Sequence, residues 1–323
     1  MKKIDIAFVI NSFNRFSLLK ECLLALDWIP KSEFDGRIGV VVFEAGSTDG
    51  SLEWLQQSKG TLPFPLEIVV PLPNDDTSFA AGLNAGVDAA INTFPALHYL
   101  VFYETDNQIQ NERPLQQALD QLIQRNDVGA CGFTVKKHSG KPAGLGSSFP
   151  TVGQFLIGRQ LVNRLHLDRP TFQWVVNEKG GRFSYVDVVY TSPLVVKKEA
   201  WIDSGGLDAK MFPFSDCDVD WAKRLSLLGW KMGVVDTEGV IHDNRETLSA
   251  WSKTRAMQFH RGRIRYLQRF HPIALRLAWP LPVMVRHLGE WLTVQLLVWQ
   301  GDRRTQLSRQ FKDLLTHSFK KYE

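Results

Sequence analysis

Four short, nearly unbroken apolar runs dominate the first third of the chain: "IDIAFVI" at 4–10, "RIGVVVF" at 37–43, "LEIVV" at 66–70 and "YLVFY" at 99–103. Strands buried on both faces read this way, and such strands belong to parallel sheets covered by helices. The segments between them have helical period. In "SLLKECLLAL", Leu19, Cys22, Leu23 and Leu26 share one face and Ser17 is the expected N-cap. Residues 78–91 and 114–125 fill the next two gaps with helical patterns. Repeated βα units of this kind predict an α/β fold with an open, mostly parallel sheet flanked by helices.

Ligands of such sheets lie beyond the carboxyl ends of the strands. Three polar loops are therefore expected on one rim: 11–15 ("NSFNR"), 44–51 ("EAGSTDGS") and 104–107 ("ETDN"). A further strand is expected over 128–135 and a Gly/Pro/Ser-rich loop over 140–153. "YVDVVYTSPLVVKKEAWIDSGG" reads as a strand, a turn and a short helix. The chain shows no internal repeat and no low-complexity tract.

Several rim residues have chemistry to offer. Glu104 and Asp106 follow a buried strand directly, where hard oxygen ligands can meet Mg²⁺ or Mn²⁺ on a diphosphate. On its own the pair reads more readily as a solvated turn. Glu44 at the end of the second strand can accept from a base or ribose, while Ser47 or Asp49 can cap the helix that follows. His242 ends the apolar segment "GVIHD" and is a candidate metal ligand through its neutral imidazole. "FPFSDCDVDWAKR" (212–224) places Asp216, Asp218 and Asp220 at a helix entrance, with Val219, Ala222, Leu225 and Leu228 as the apolar stripe and Gly229 as the stop. The helix dipole stabilises negative charge there. Capping accounts for one or two carboxylates, not three. Residues two apart on a helix face different ways. One aspartate can thus cap, Asp220 can meet Arg224 four residues on, and one can serve as a base that takes a proton from an acceptor hydroxyl.

Charge divides the chain. From Lys253 onward there are 14 Lys/Arg and 4 Asp/Glu, or 14 − 4 = +10, so the first 252 residues carry +4 − 10 = −6. Three scattered cysteines, Cys22, Cys131 and Cys217, exclude a disulfide framework or structural zinc site and suggest a reducing compartment. No apolar stretch reaches membrane-spanning length and the first apolar run is too short for a signal peptide, so a cytoplasmic protein is expected.

Taken in order, these segments resemble the family 2 inverting glycosyltransferases, which have the GT-A nucleotide-sugar fold. "FVINSFNR" resembles the family's first strand and loop, and "FEAGSTDGS" its "D-x-GSTDGS" turn. "FAAGLNAGVDAA" resembles its "G-x-N-x-G" helix, and "ETDN" its metal-binding DXD element. "SGGLDAKMFPFSDCDVDWAKRLSLLGW" resembles its acceptor segment, with a rhamnosyltransferase-like "GGLD…DVDW" pattern, and "GVIHD" resembles its late metal-binding histidine.

The resemblance implies a transferase domain over 1–270. It implies Asp106 as ligand of Mn²⁺ or Mg²⁺ with Glu104 and His242, and Asp218 as catalytic base. It implies Asn11, Phe13, Arg15, Glu44, Asn84, Thr105 and Arg261 around a UDP-, dTDP- or GDP-linked sugar. The implied reaction is a single displacement onto a glycan or lipid-linked glycan, as in bacterial surface-polysaccharide assembly. Glu44 stands where the family has aspartate, Cys217 replaces a glutamate beside the base, and the DXD element reads Glu-Thr-Asp. "QFHRG" lacks the tryptophan of processive relatives, which implies one sugar per encounter.

Two alternatives remain. A sugar-nucleotide nucleotidyltransferase is expected to carry a Gly-rich basic loop after the first strand, which "NSFNRFS" is not. A nucleotide-binding scaffold without activity would not need Asp218. In the basic extension, 271–323, Leu288, Trp291, Leu292, Gln295 and Trp299 fall on one side of a helix flanked by Arg286, Arg303 and Arg304. That pattern fits a packed cap or homodimer contact, or a helix lying at the inner face of an anionic membrane. No nucleic-acid recognition motif accompanies the charge.

Overall fold

The computed structural model describes residues 3–144, 146–167, 172–176, 181–190, 193–243, 253–299 and 301–317. The end of the expected extension, 318–323, lies outside the described residues. In chain order the strands are β1 Ile6–Ser12, β2 Ile38–Glu44, β3 Leu66–Val69, β4 Tyr99–Phe102, β5 Asn107–Ile109, β6 Val128–Phe133, β7 Val135–Lys136, β8 Pro142–Gly144, β9 Val175–Val176, β10 Arg182–Val186, β11 Leu194–Lys197, β12 Lys231–Asp236 and β13 Val240–His242. The helices are α1 Phe16–Leu24, α2 Ser51–Ser58, α3 Phe79–Thr93, α4 Arg113–Gln124, α5 Val152–Ile157, α6 Arg159–Leu165, α7 Lys198–Ser204, α8 Cys217–Leu227, α9 Lys253–Phe270, α10 Pro272–Ala278, α11 Leu281–Leu297 and α12 Gly301–His317.

A nine-stranded sheet runs in the order β3-β2-β1-β4-β11-β6-β12-β10-β9, and only β10 and β11 oppose the common strand direction. Both faces of its centre are covered, so Ile6–Ile10 and Ile38–Phe43 are buried without alternation. That is the physical reason for the unbroken apolar runs. Helix α3 lies close on β1 and β2 because it carries glycine at the contact. A Cβ at Gly82 would stand 2.7 Å from the Phe43 ring, and one at Gly86 would stand 2.7 Å from Val9. A second sheet, β5-β13-β7-β8, has strands of only two or three residues.

Contacts group the chain into two compact units. The first comprises Met1–Ser148, Pro170–Pro213 and Cys217–Arg245 and contains both sheets. The second comprises Phe149–Arg169, Phe214–Asp216 and Glu246–Glu323 and is helical. Its core joins Met257 of α9, Val294 of α11, and Phe311 and Leu314 of α12. No helix among the described residues is long and apolar enough to cross a membrane.

Local expectations are corrected at four places. Helix α1 begins at Phe16, not after Ser17, and its cap comes from Asp49, whose Oδ2 accepts from the Phe16 N–H at 2.8 Å. The 140–153 segment is no plain loop: it contains β8 and a bridge between Ser147 and Val188. Leu228 lies past the end of α8 and is exposed, because the chain turns out at Gly229 with φ 91°. Arg286 points inward rather than flanking the α11 surface. It donates to the Phe155 carbonyl and lies 3.3 Å from Glu290.

Candidate active site

The short second sheet assembles the acidic turn. β5 and β13 pair antiparallel with Asn107 opposite His242, so the residue after Asp106 meets the last residue of β13. The turn before β5 is closed by Asn107, which the sequence reading did not single out. Its backbone N–H donates to the Glu104 carbonyl at 3.0 Å, while its side-chain oxygen accepts from the Glu104 N–H at 3.0 Å. Asn107 is fully buried, and its Nδ2 donates to Asp106 Oδ1 at 3.4 Å. Asp243 adds a backbone bond from its N–H to the Asp106 carbonyl at 3.0 Å. The signal for Asn107 was local: asparagine closing a tight turn by bonding a nearby backbone group.

One donor atom from each of Glu104, Asp106 and His242 lies within 4.8 Å of the other two, and His242 Nε2 stands 3.6 Å from Asp106 Oδ1. Adjacent ligands on an octahedral ion with bonds of about 2.1 Å stand about 3 Å apart. The three donor atoms stand somewhat wider than that spacing, on side chains with rotatable bonds. Two carboxylates and an imidazole suit Mn²⁺, and the carboxylates also suit Mg²⁺. The residues therefore fit a divalent cation. Arg15 joins the group, its Nη1 3.5 Å from Asp106 Oδ2. Thr105 is buried within the turn.

The loops after β1 and β2 are laced together. Ser47 Oγ accepts from the Asn14 N–H at 2.9 Å and Asn14 Oδ1 accepts from the Thr48 N–H at 2.9 Å. Asp49 binds Ser51 N–H and Oγ as well as Phe16 N–H. Burial pushes the Asp49 carboxyl up, but the hydrogen bonds from Ser51 and Phe16 outweigh it and hold it below its ordinary value. Glu44 is wholly buried, and its oxygens accept from the N–H groups of Gly46 and Ser47 at 3.0 Å each. In this structure its carboxylate shapes the loop. Asn11 is likewise engaged, donating to the Phe79 carbonyl at 3.0 Å, whereas Phe13 is 56% exposed.

The three aspartates of 216–220 have different surroundings, and the Asp220–Arg224 pair is the one that the four-residue spacing predicts. Asp220 is fully buried and pairs with Arg224 Nε at 2.9 Å, and the rest of that guanidinium donates to the Ser204 and Gly206 carbonyls. Asp216 adopts a left-handed φ of 59° and is held by Arg263 Nε at 2.7 Å and Nη2 at 3.2 Å. Asp218 is half-buried in the first turn of α8. Its helix is seated by Trp221, which packs on Phe102 and Trp201 and donates to Ser204 Oγ at 2.7 Å. Asn84, between the two glycines of α3, exchanges hydrogen bonds with the backbone of Leu207 at 2.8 and 3.0 Å. Ala80 N–H donates to the Pro213 carbonyl at 3.0 Å. These bonds tie α3 to the chain leading into α8. Arg261 is an exposed residue of α9 and belongs to the second unit.

Comparison with solved structures places this architecture. The mannosyltransferase PcManGT from Pyrobaculum calidifontis, solved with GDP-Man and Mn²⁺, superposes with a TM-score of 0.56 at 15% identity, over 99% of this chain and 88% of that one. The chain shares the fold of that mannosyltransferase structure. S. aureus TarS residues 1–349 give a TM-score of 0.53 at 12% identity, over 97% of this chain and 91% of that one. Against the longer TarS chain the score is 0.52 at 13% identity, and the match covers 98% of this chain but 44% of TarS. No protein-family model matches the chain, and no curated protein matches it in sequence.

Proposed function

We propose that the protein is a metal-dependent inverting glycosyltransferase. It moves a sugar from a nucleoside-diphosphate sugar to a hydroxyl of a glycan or lipid-linked glycan, one sugar per encounter, in bacterial surface-polysaccharide synthesis. The observation that carries this reading is the convergence of Glu104, Asp106 and His242 from turn and strand segments far apart in sequence. A glycosyltransferase fold around that cluster supports it.

In this reading Asp106, Glu104 and His242 hold Mn²⁺ or Mg²⁺, which when bound supplies positive charge against the diphosphate of the donor. Arg15, beside Asp106, supplies a second positive charge there. Asn11, Phe13, Thr105 and the Glu44-shaped loop line the nucleotide-sugar site, and Asn84 fixes its floor through Leu207. Asp218 takes the proton from the acceptor hydroxyl. The oxygen then attacks the anomeric carbon, the bond from that carbon to the diphosphate breaks, and the nucleoside diphosphate leaves with the electron pair. Catalysis is assigned to 1–270 and a supporting role to 271–323.

Thermal unfolding with GDP, UDP, dTDP and CDP, each with and without Mn²⁺, tests the assignment. GDP is the first to try because PcManGT was solved with GDP-Man. Ligand at 100 times its Kd stabilises the native state by about 2.7 kcal/mol. A shift with one nucleotide that requires Mn²⁺ supports the reading. No shift with any of the four at saturation overturns it.

A further inference from the structure

The helical unit has an apolar surface that its own core does not use. Helix α11 buries Val283, His287 and Val294, and leaves Leu281, Val285, Leu288, Leu292 and Leu296 exposed. At 3.6 residues per turn these five fall within an arc of about 80°, opposite the buried three. Beyond the helix Trp299 is 91% exposed, and on α10 Ile273 and Leu277 are 77% and 79% exposed. The composition of this stripe differs from the sequence expectation: Trp291 and Gln295 turn toward α12, both donating to Ser308 Oγ, at 2.9 and 2.8 Å. A soluble helix shows one apolar face, so a second, exposed one calls for a covering partner.

The charge around the stripe selects that partner. Arg276 is exposed between Ile273 and Leu277, and exposed Arg303 and Arg304 follow Trp299. Arg304 Nη2 donates to Gln295 Oε1 at 3.1 Å, which holds it beside α11. The one acid of α10 and α11, Glu290, is turned to Arg286 and His287 at 3.3 and 2.8 Å. Both ends of the stripe are thus basic. In an isologous pairing of two copies, either alignment of the helices sets arginine against arginine. An anionic lipid surface instead takes the leucines into its acyl boundary, the tryptophan at headgroup depth and the arginines on its phosphates.

The geometry points to α10 and α11 as a monotopic docking face for an anionic membrane. The face lies on the bilayer without crossing it. The inference deepens the lipid-linked reading of the acceptor proposed above, and rests on it only for its biological purpose.

Sedimentation of the full chain with phosphatidylcholine vesicles, with and without about one-third phosphatidylglycerol, tests it. Binding is expected with the anionic vesicles at low salt. It should weaken strongly at about 1 M salt, where the screening length is about 3 Å. Leu292→Asp/Leu296→Asp should lower the bound fraction at least about fivefold, and Arg276→Glu/Arg304→Glu should abolish the preference for anionic lipid. Brominated lipid should quench the wild type more than Trp299→Phe, an independent reading should the double aspartate variant misfold. Absence of binding to anionic vesicles, or equal binding to neutral ones, overturns the proposal. So does a lipid-free dimer in sedimentation velocity that the double aspartate substitution dissociates. The nucleotide-plus-Mn²⁺ thermal shift, measured on the same preparations, reports separately on the transferase reading.

Discussion

The chain gathers carboxylates at two places, and it treats them in opposite ways. At 104–106 they converge, with Glu104 and Asp106 joined by His242 within 4.8 Å. At 216–220 they diverge, with Asp216 on Arg263, Asp220 on Arg224 and Asp218 in the first turn of α8. Convergent like charges repel, and the arrangement makes chemical sense with a cation to share. Of the divergent ones, Asp216 and Asp220 are each balanced by an arginine and sit buried. Asp216 and Asp220 thus do structural work, while Glu104, Asp106 and His242 keep the geometry of a candidate binding site.

Removing the convergent site should have the largest effect. Asp106→Ala is expected to lower transfer by about 10³-fold or more and to erase the Mn²⁺-dependent thermal shift, read by initial rates and melting with nucleotide. An unchanged shift breaks the comparison at its first term. Asp218→Asn should lower kcat by about 10²–10⁴-fold while nucleotide and metal still stabilise the fold. A variant of normal activity would place the base elsewhere.

Arg224→Ala tests the structural term. It leaves the buried Asp220 carboxylate without its cation and should destabilise by about 3 kcal/mol, with the lower end of the usual range expected because Arg224 is partly exposed. Denaturant melts measure this, and loss of stability with metal binding retained in the folded fraction is the expected pattern. Asn107→Ala unlatches the convergent turn and should cost about 1–3 kcal/mol, with weaker Mn²⁺ binding as the companion signal. Asp49→Ala is the mildest, at about 0.5–2 kcal/mol for a lost cap. Because the Asp49 carboxyl is held below its ordinary value near 3.8, its contribution is fully present above that pH and lost as pH falls through the lowered value. The difference between Asp49→Ala and wild type should therefore vanish in acid.

Much of this arrangement was legible beforehand. The apolar runs became β1 to β4: β1, β2 and β4 are buried on both faces as unbroken sequence predicts, whereas β3, at the end of the sheet order, is only partly buried. Asp220 and Arg224 met because four residues are one helical turn, a purely local relation. The second sheet was not legible, since strands of two or three residues are too short to show a period. The α1 cap was missed for another reason. It comes from Asp49, 33 residues away from Phe16, and no window along the chain contains both. Arg286 misled because an arginine in a basic extension reads as surface, whereas here Glu290 and the Phe155 carbonyl hold it inside. Asn11, Glu44 and Asn84 were read from motif position as ligand contacts; the bonds of Asn11 and Asn84 to the chain's own backbone join residues that the motifs do not link, and those of Glu44 close its own loop.

The pairing of Asn107 with His242 has a consequence for the life of the chain. His242 lies three-quarters of the way along the sequence, so a nascent chain carries both carboxylates long before it carries the imidazole. Until β13 leaves the ribosome and pairs with β5, the site has two donors and no third. A cation meeting the emerging chain finds a weak, open pair, and a chain cut short before residue 242 can hold none in the manner of the finished protein. On the proposed assignment, completion of the cation site is tied to the pairing of β13 with β5, and loading with metal would report that this last strand has been made.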